Sequence, residues 1–179
     1  ERQMQECGGA AWLIQRAGPR AVVIAPPAAP LAPEELSALY ALPFQRRAHP
    51  SYSEPVPAVE SVQFSVTSHR GCAAGCVFCA LASHQGRRIV SREAESIENE
   101  VASFTRHPDF RGAVSDIGCP SANMWGARCA ADPEACKRAS CLHPGICPHF
   151  REDQRALAAL LRRIARLPGI RSVRVASGV

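Results

Sequence analysis

The sequence predicts an α/β fold: an incomplete parallel (β/α) barrel of about three βα units, preceded by the tail of an N-terminal domain. Three observations predict it. Strand, loop and helix patterns alternate from residue 61 onward, the order that builds a parallel sheet with right-handed crossovers. Each strand pattern runs into a loop rich in cysteine, glycine or serine. The last strand pattern, near the end of the 179 residues, has no helix after it. Three units do not close a barrel, and an unpaired last strand leaves an open edge. The expectation is therefore a chain truncated at both ends.

The first 60 residues read differently from the rest. Ala11-Trp12-Leu13-Ile14 and Ala21-Val22-Val23-Ile24 flank Ala17-Gly18-Pro19, the pattern of a hairpin. Pro33 suits the first position of a short helix from Glu34 to about Leu42. Prolines 43, 50, 55 and 57 then mark an extended connector. The expected organisation is 1–60 as the end of an upstream domain plus a Pro-rich linker. Residues 61–179 then form the first half of a core domain, with a Cys-rich insertion at about 119–150.

Within the core, Val62, Phe64 and Val66 alternate as a strand does. Ser91 reads as an N-cap, with Glu93 and Glu95 placed to suit the helix dipole. Ala94, Ile97, Val101 and Phe104 form one apolar helical stripe. Gly112 to Ile117 reads as a second strand ending in Gly118-Cys119-Pro120. Asp153 caps a second helix with the stripe Leu157, Leu160, Leu161, Ile164 and Leu167. Ser172 to Ala176 reads as a third strand. Chemistry in such sheets gathers at the C-terminal strand ends. The loop after the first strand, the Asp116–Gly118 turn and Ser177 are thereby expected on one face.

Composition bounds the function. The net charge is +5, Lys137 is the sole lysine, and hydrophobic residues make up 46%. This is a globular composition, with no apolar run long enough to span a bilayer. A modest basic excess permits an anionic partner without indicating one, and aromatic residues at 6% are sparse for a nucleic-acid stacking surface. No general acid, base or nucleophile stands out.

Nine cysteines, an odd number, cluster instead of spreading. Cys72, Cys76 and Cys79 have C-x3-C-x2-C spacing, too local for useful disulfide staples. A reducing, cytoplasmic location follows as the expectation. Three thiolates on one loop suit an iron–sulfur cluster with an open fourth position. With His69 or His84 as a fourth ligand they also suit zinc. Cys129, Cys136, Cys141 and Cys147 form a second set, fit for a second iron–sulfur cluster or a structural zinc, or else free thiols in a surface loop. Arg70, Arg87, Arg88 and Arg92 flank the triplet as anion ligands or as a solvated basic face. Cys7 stands apart.

The triplet, with Phe78 before its last cysteine, resembles the signature of the radical S-adenosylmethionine (SAM) superfamily. The blocks Ser68-His69-Arg70-Gly71-Cys72, His84-Gln85-Gly86-Arg87, Ser115 to Met124 and Cys141 to Pro148 are similar to the YgiQ-like family within it, over about residues 43–179. The resemblance implies a barrel of radical SAM type and a [4Fe-4S] cluster on Cys72, Cys76 and Cys79, with SAM on the fourth iron. It implies reductive cleavage of SAM to a 5′-deoxyadenosyl radical that acts on an unidentified substrate. Electrons would come from a donor such as flavodoxin or ferredoxin. Phe78 would pack near the adenine, and Asp116 and Gly118 would lie near the SAM amino group, with Ser177 in the same site. Cys119 departs from the family pattern, standing where a second glycine is expected. The 179-residue chain alone is expected to lack turnover. The rival reading is a non-catalytic zinc or iron–sulfur module, possibly in contact with nucleic acid.

Overall fold

The computed structural model describes residues 12–26, 28–119, 121–132 and 136–176. Cys7, Pro120, Ser177 and Gly178 lie outside them. β1 (Leu13–Ala17) and β2 (Arg20–Ile24) form the predicted antiparallel hairpin around Gly18, whose φ of +60° suits glycine. α1 (Pro33–Tyr40) starts at Pro33, with the Glu35 carboxylate accepting from the Ala32 amide at 2.7 Å. Leu36 and Ser37 are its buried residues.

The order after the linker is α2 (Ala58–Val62), β3 (Ser65–Thr67), β4 (His69–Arg70), α3 (Leu81–Gln85), β5 (Val90–Ser91), α4 (Ala94–Phe104), β6 (Ala113–Val114), β7 (Asp116–Gly118), β8 (Arg128–Cys129), β9 (Phe150–Arg151), α5 (Gln154–Ile164) and β10 (Ser172–Val173). β3 pairs in parallel with β7, and β6 in parallel with β10. The Ser115 amide donates to the Phe64 carbonyl, and the Ile117 amide to the Arg174 carbonyl. The 113–118 segment is thus the middle of three parallel lines, as a βαβαβ unit requires. Among the described residues the sheets are two-stranded, and no closed barrel is seen. α4 and α5 cover this core with Ile97, Val101 and Phe104 from one and Leu160 and Ile164 from the other, against Val66, Val114 and Ile117.

Several expectations change. Val62 belongs to α2 and is exposed; the strand starts only at Ser65, because the chain turns once after Pro57 before it extends. Ser91 is not an N-cap. It lies in β5, and its hydroxyl accepts from the Gly126 amide at 2.8 Å, so α4 begins at Ala94 after an extended Glu93. Asp153 does cap α5, accepting from the Arg155 amide at 2.9 Å. The 119–150 stretch contains an antiparallel pair, β8 with β9.

Arg92 is 1% exposed; it is no part of a solvated basic face. Its Nη1 donates to the Thr67 carbonyl at 2.9 Å and pairs with Glu100. Its Nη2 donates to the Ser96 carbonyl and hydroxyl, and its guanidinium lies 4.3 Å over the Tyr40 ring. Glu100 also pairs with Arg46, which donates to the Gln63 and Ser65 carbonyls and stacks 4.2 Å over Phe104. Burial pulls the Arg46 pKa below its ordinary value, and Glu100 works against that pull. Replacing Arg92 by leucine leaves Glu100 buried with half its counter-charge and frees the Thr67 carbonyl. The expected loss is about 3–5 kcal/mol of unfolding free energy, read from a urea denaturation midpoint.

Candidate functional site: the cysteine loops at the strand ends

The β3·β7 register sets Thr67 beside Gly118. One residue on, the Ser68 amide and hydroxyl both donate to the Gly118 carbonyl, at 2.7 and 3.1 Å. The cysteine loop therefore leaves β3 next to the point where Cys119 leaves β7. Gln85 ties the two exits together: its Oε1 accepts from the Gly71 amide at 3.3 Å and lies 3.5 Å from the Cys119 sulfur. Cys119 is buried, and Arg46 is the sole non-glycine with positive φ among the described residues. A cysteine in place of glycine thus costs no left-handed strain in this turn.

Two glycines shape the loop. Gly71 has a φ of +90°, and a Cβ there would stand 2.0 Å from the Arg88 carbonyl oxygen. Gly75 has a φ of +63°, and its Cβ would stand 2.3 Å from the Ala139 carbonyl oxygen. Between them, Cys72 is buried and its amide donates to the Gly86 carbonyl. Beyond Gly75, Cys76 is exposed and Cys79 half-buried; the Cys79 amide donates to the Cys76 carbonyl at 3.1 Å. Val77 and Phe78 are 104% and 90% exposed. Two bare apolar side chains between two thiols are the opposite of what solvent selects, and mark an edge of the loop with affinity for apolar surface.

The second cysteine set packs on the back of this loop. The Cys141 amide donates to the Ala73 carbonyl at 2.9 Å, and Cys141 joins Cys72, Ala73 and Met124 in one apolar cluster. The Ser140 hydroxyl bonds the Ala74 carbonyl. Burial raises the Cys141 pKa; the neighbouring Arg87 guanidinium lowers it, and Cys147, Cys136 and Cys129 raise it further. All eight described cysteines are free thiols. Among the described residues, no three His, Cys, Asp or Glu side chains converge on a single-ion position. A four-iron cluster does not ask for that, since each thiolate bonds a different iron.

His69 is fully buried beneath the loop and is spoken for. Nδ1 lies 2.9 Å from the Ser68 hydroxyl and Nε2 lies 3.1 Å from the Ser121 hydroxyl. That removes it as the fourth zinc ligand considered from sequence. His84 is exposed, beside Arg70, Gln85 and Arg88, which line one side of a cavity of about 620 Å³; Leu31, Leu36 and Phe44 line the other. Asp116 is half-buried, and its Oδ1 accepts from the Ala176 amide at 2.8 Å. Gln85, Ser68 and Ser121 carry the hydrogen bonds that hold these loops together. Sequence pattern did not single them out for that role, because lone polar residues carry no periodic signal.

Burial lowers the His69 pKa from 6.5 to about 4, the Ala122 backbone partly opposing it. The unfolded chain then binds a proton that the folded one refuses. Stability contributed by neutral His69 is complete above pH 6.5 and is lost as pH falls toward 4, by roughly 1.4 kcal/mol per pH unit at most. Urea midpoints measured across that window are expected to fall with pH, and to fall less steeply in His69→Gln. Gly71→Ala, by driving a Cβ into the Arg88 carbonyl at a φ of +90°, is expected to lower the urea midpoint while leaving α-helical circular dichroism intact.

Residues 1–65 match the family described as Radical SAM N-terminal, a match that ends before the cysteine triplet. Across 169 residues the chain is 47% identical to a UPF0313 protein of Geobacter sulfurreducens, covering 93% of this chain and 28% of that protein. A UPF0313 protein of Methanocella arvoryzae is 44% identical over the same shares. The UPF0313 protein YgiQ of Escherichia coli K12 is 43% identical over 176 residues, 96% of this chain and 24% of that protein. The chain thus spans about a quarter of the length of the curated relatives it matches. Along nearly all of its own residues the chain is thus homologous to part of the UPF0313 proteins, YgiQ among them, and its start matches the radical SAM N-terminal family.

Proposed function

We propose that this chain carries the cluster-binding loop of a radical SAM enzyme, at the start of a radical SAM core domain that begins near residue 61. The single observation that supports this most is the loop itself: three free thiols after a parallel strand, with Val77 and Phe78 uncovered between the last two. Cys72, Cys76 and Cys79 would hold three irons of a [4Fe-4S] cluster, a soft donor set suited to iron–sulfur chemistry. When bound, the cluster supplies the one electron that splits SAM into methionine and a 5′-deoxyadenosyl radical.

The chain's own residues do the positioning. Cys72 is anchored by Gly86 and by the Ala73 amide contact to the Met124 sulfur at 3.4 Å. Cys76 and Cys79 remain toward solvent, where SAM and an electron donor such as flavodoxin or ferredoxin have access. Phe78 offers a flat apolar face for the adenine. Gly118 closes β7 beside Thr67, and Asp116 opens it; both are assigned to the SAM amino-acid end, with Ser177 proposed for the same pocket. No helix among the described residues is long and apolar enough to cross a membrane.

The test is anaerobic reconstitution of the full-length protein with iron and sulfide, then dithionite and SAM. 5′-Deoxyadenosine is expected by chromatography. Cys72→Ala, Cys76→Ala or Cys79→Ala is each expected to remove at least 90%, about tenfold, of the product and of the triplet's iron. A fully loaded protein that yields no 5′-deoxyadenosine above the triple-alanine background rejects the reading.

A further inference from the structure

Residues 119–150 pose a physical problem. Of the described residues in 128–150, Ser140 and Cys147 alone are buried. From 128 onward the loop adds only Cys141 and Phe150 to the apolar cluster around Cys72 and Met124, a thin contact for its length. Its described stretches nevertheless hold defined backbone bonds: β8 pairs with β9, the Phe150 amide donates to the Cys147 carbonyl at 2.9 Å, and the Cys147 amide donates to the Cys141 carbonyl at 2.7 Å.

That path collects thiols. The register puts Cys129 opposite Phe150, three residues from Cys147. Cys147 and Cys141 are joined through their backbones, and Cys129, Cys136 and Cys147 all lie within electrostatic reach of the Cys141 sulfur. None of the four is in a disulfide. A second, independent feature lies beside them. The Arg87 Nε is buried and has no hydrogen-bond partner among the described residues, and the Arg87 guanidinium acts on Cys141. A buried donor left without a partner is costly, so an unfilled acceptor is implied next to it. Four thiolates on one Zn²⁺, or on one [4Fe-4S]²⁺ core, leave a net charge of about −2, which the half-buried Arg87 guanidinium offsets in part.

We propose that Cys129, Cys136, Cys141 and Cys147 form a second, four-thiolate metal centre that staples residues 119–150 onto the back of the first cysteine loop, with Arg87 as its charge partner. The Cys141–Ala73 hydrogen bond and the Gly75–Ala139 approach make that loop the wall against which Cys72–Cys79 is set.

The test separates this centre from the first by deleting the first. The full-length protein carrying Cys72→Ala, Cys76→Ala and Cys79→Ala is purified anaerobically, and iron, zinc and acid-labile sulfide are counted per polypeptide. One remaining centre is expected, read as about four iron with four sulfide, or about one zinc. Adding Cys141→Ser and Cys147→Ser is expected to remove it, and Arg87→Gln to speed its loss to a chelator several-fold. Metal below about 0.1 per chain, with the four thiols titrating free or paired as disulfides, overturns the proposal. The unmutated protein gives a second readout: chelation is expected to open 119–150 to protease. Cleavage there that does not change with chelation also overturns it. Because the triplet is absent from the counted variant, either result leaves the proposed SAM chemistry untouched.

Discussion

The fold depends on one buried carboxylate, Glu100, held between two guanidiniums. Arg92 reaches it from the exit of β5, and Arg46 from the linker. Each arginine also donates to carbonyls at the edge of β3: Arg92 to Thr67, Arg46 to Gln63 and Ser65. These carbonyls sit where strand pairing does not reach them. The two arginines thus finish the hydrogen bonding of the strand that launches the cysteine loop. They also clamp the N-terminal segment, since Tyr40 and Phe104 stack on their faces. A lysine in either place has one point charge and no planar face, so it could not bridge carboxylate, carbonyl and ring together. Buried ion pairs of this kind add little net stability over an apolar core, but they fix one geometry, because any other leaves a charge unpaired.

The neutral network under the loop complements the charged one. Because the Ser68 hydroxyl donates to the Gly118 carbonyl, His69 Nδ1 is the donor to Ser68, while Nε2 lies against the Ser121 hydroxyl, which itself donates to the Ala122 carbonyl. Burial favours the neutral form of this histidine. The strand ends are thus bridged without placing a further cation beneath the thiols. The Arg92–Glu100–Arg46 charges lie on the α4 side of β3, while the group directly beneath the cysteine loop, His69, is held toward its neutral form by burial.

What the sequence made legible follows the strength of each local signal. The hairpin at Leu13–Ile24, the start of α1 at Pro33, the Asp153 cap and the buried stripes of α4 and α5 all rest on periodicity or capping chemistry, and all are present. The convergence of the triplet loop with Cys119 follows from parallel pairing of β3 with β7, which the βα order already requires. Ser91 misled because a serine before a helical stripe looks like a cap, while a distant glycine amide, Gly126, takes its hydroxyl. Arg92 misled for the opposite reason. In sequence it is one of four arginines near the triplet, and nothing local says that Glu100, eight residues on, lies inward with it. Long-range polar contacts between single residues leave no periodic trace, so burial of a charge is legible only once the partners are in space.

The same reasoning explains why the two cysteine sets are mechanically one unit. Gly71 and Gly75 each let a backbone carbonyl from another segment, Arg88 and Ala139, approach where a side chain would otherwise stand. The Cys72 end is thereby fixed to the α3–β5 connection, and the stretch just past it to the second cysteine loop. From Cys76 to Cys79, among the described residues, the bonds are local: the turn bond between them and the Leu81 amide near the Cys79 sulfur at 3.5 Å. The loop is rigid at its root and held only locally at its tip, with Val77 and Phe78 on the free side. In the proposed role, the Cys72 end would set where a bridging group sits, and Cys76 and Cys79, held by local bonds alone among the described residues, would complete its ligand set.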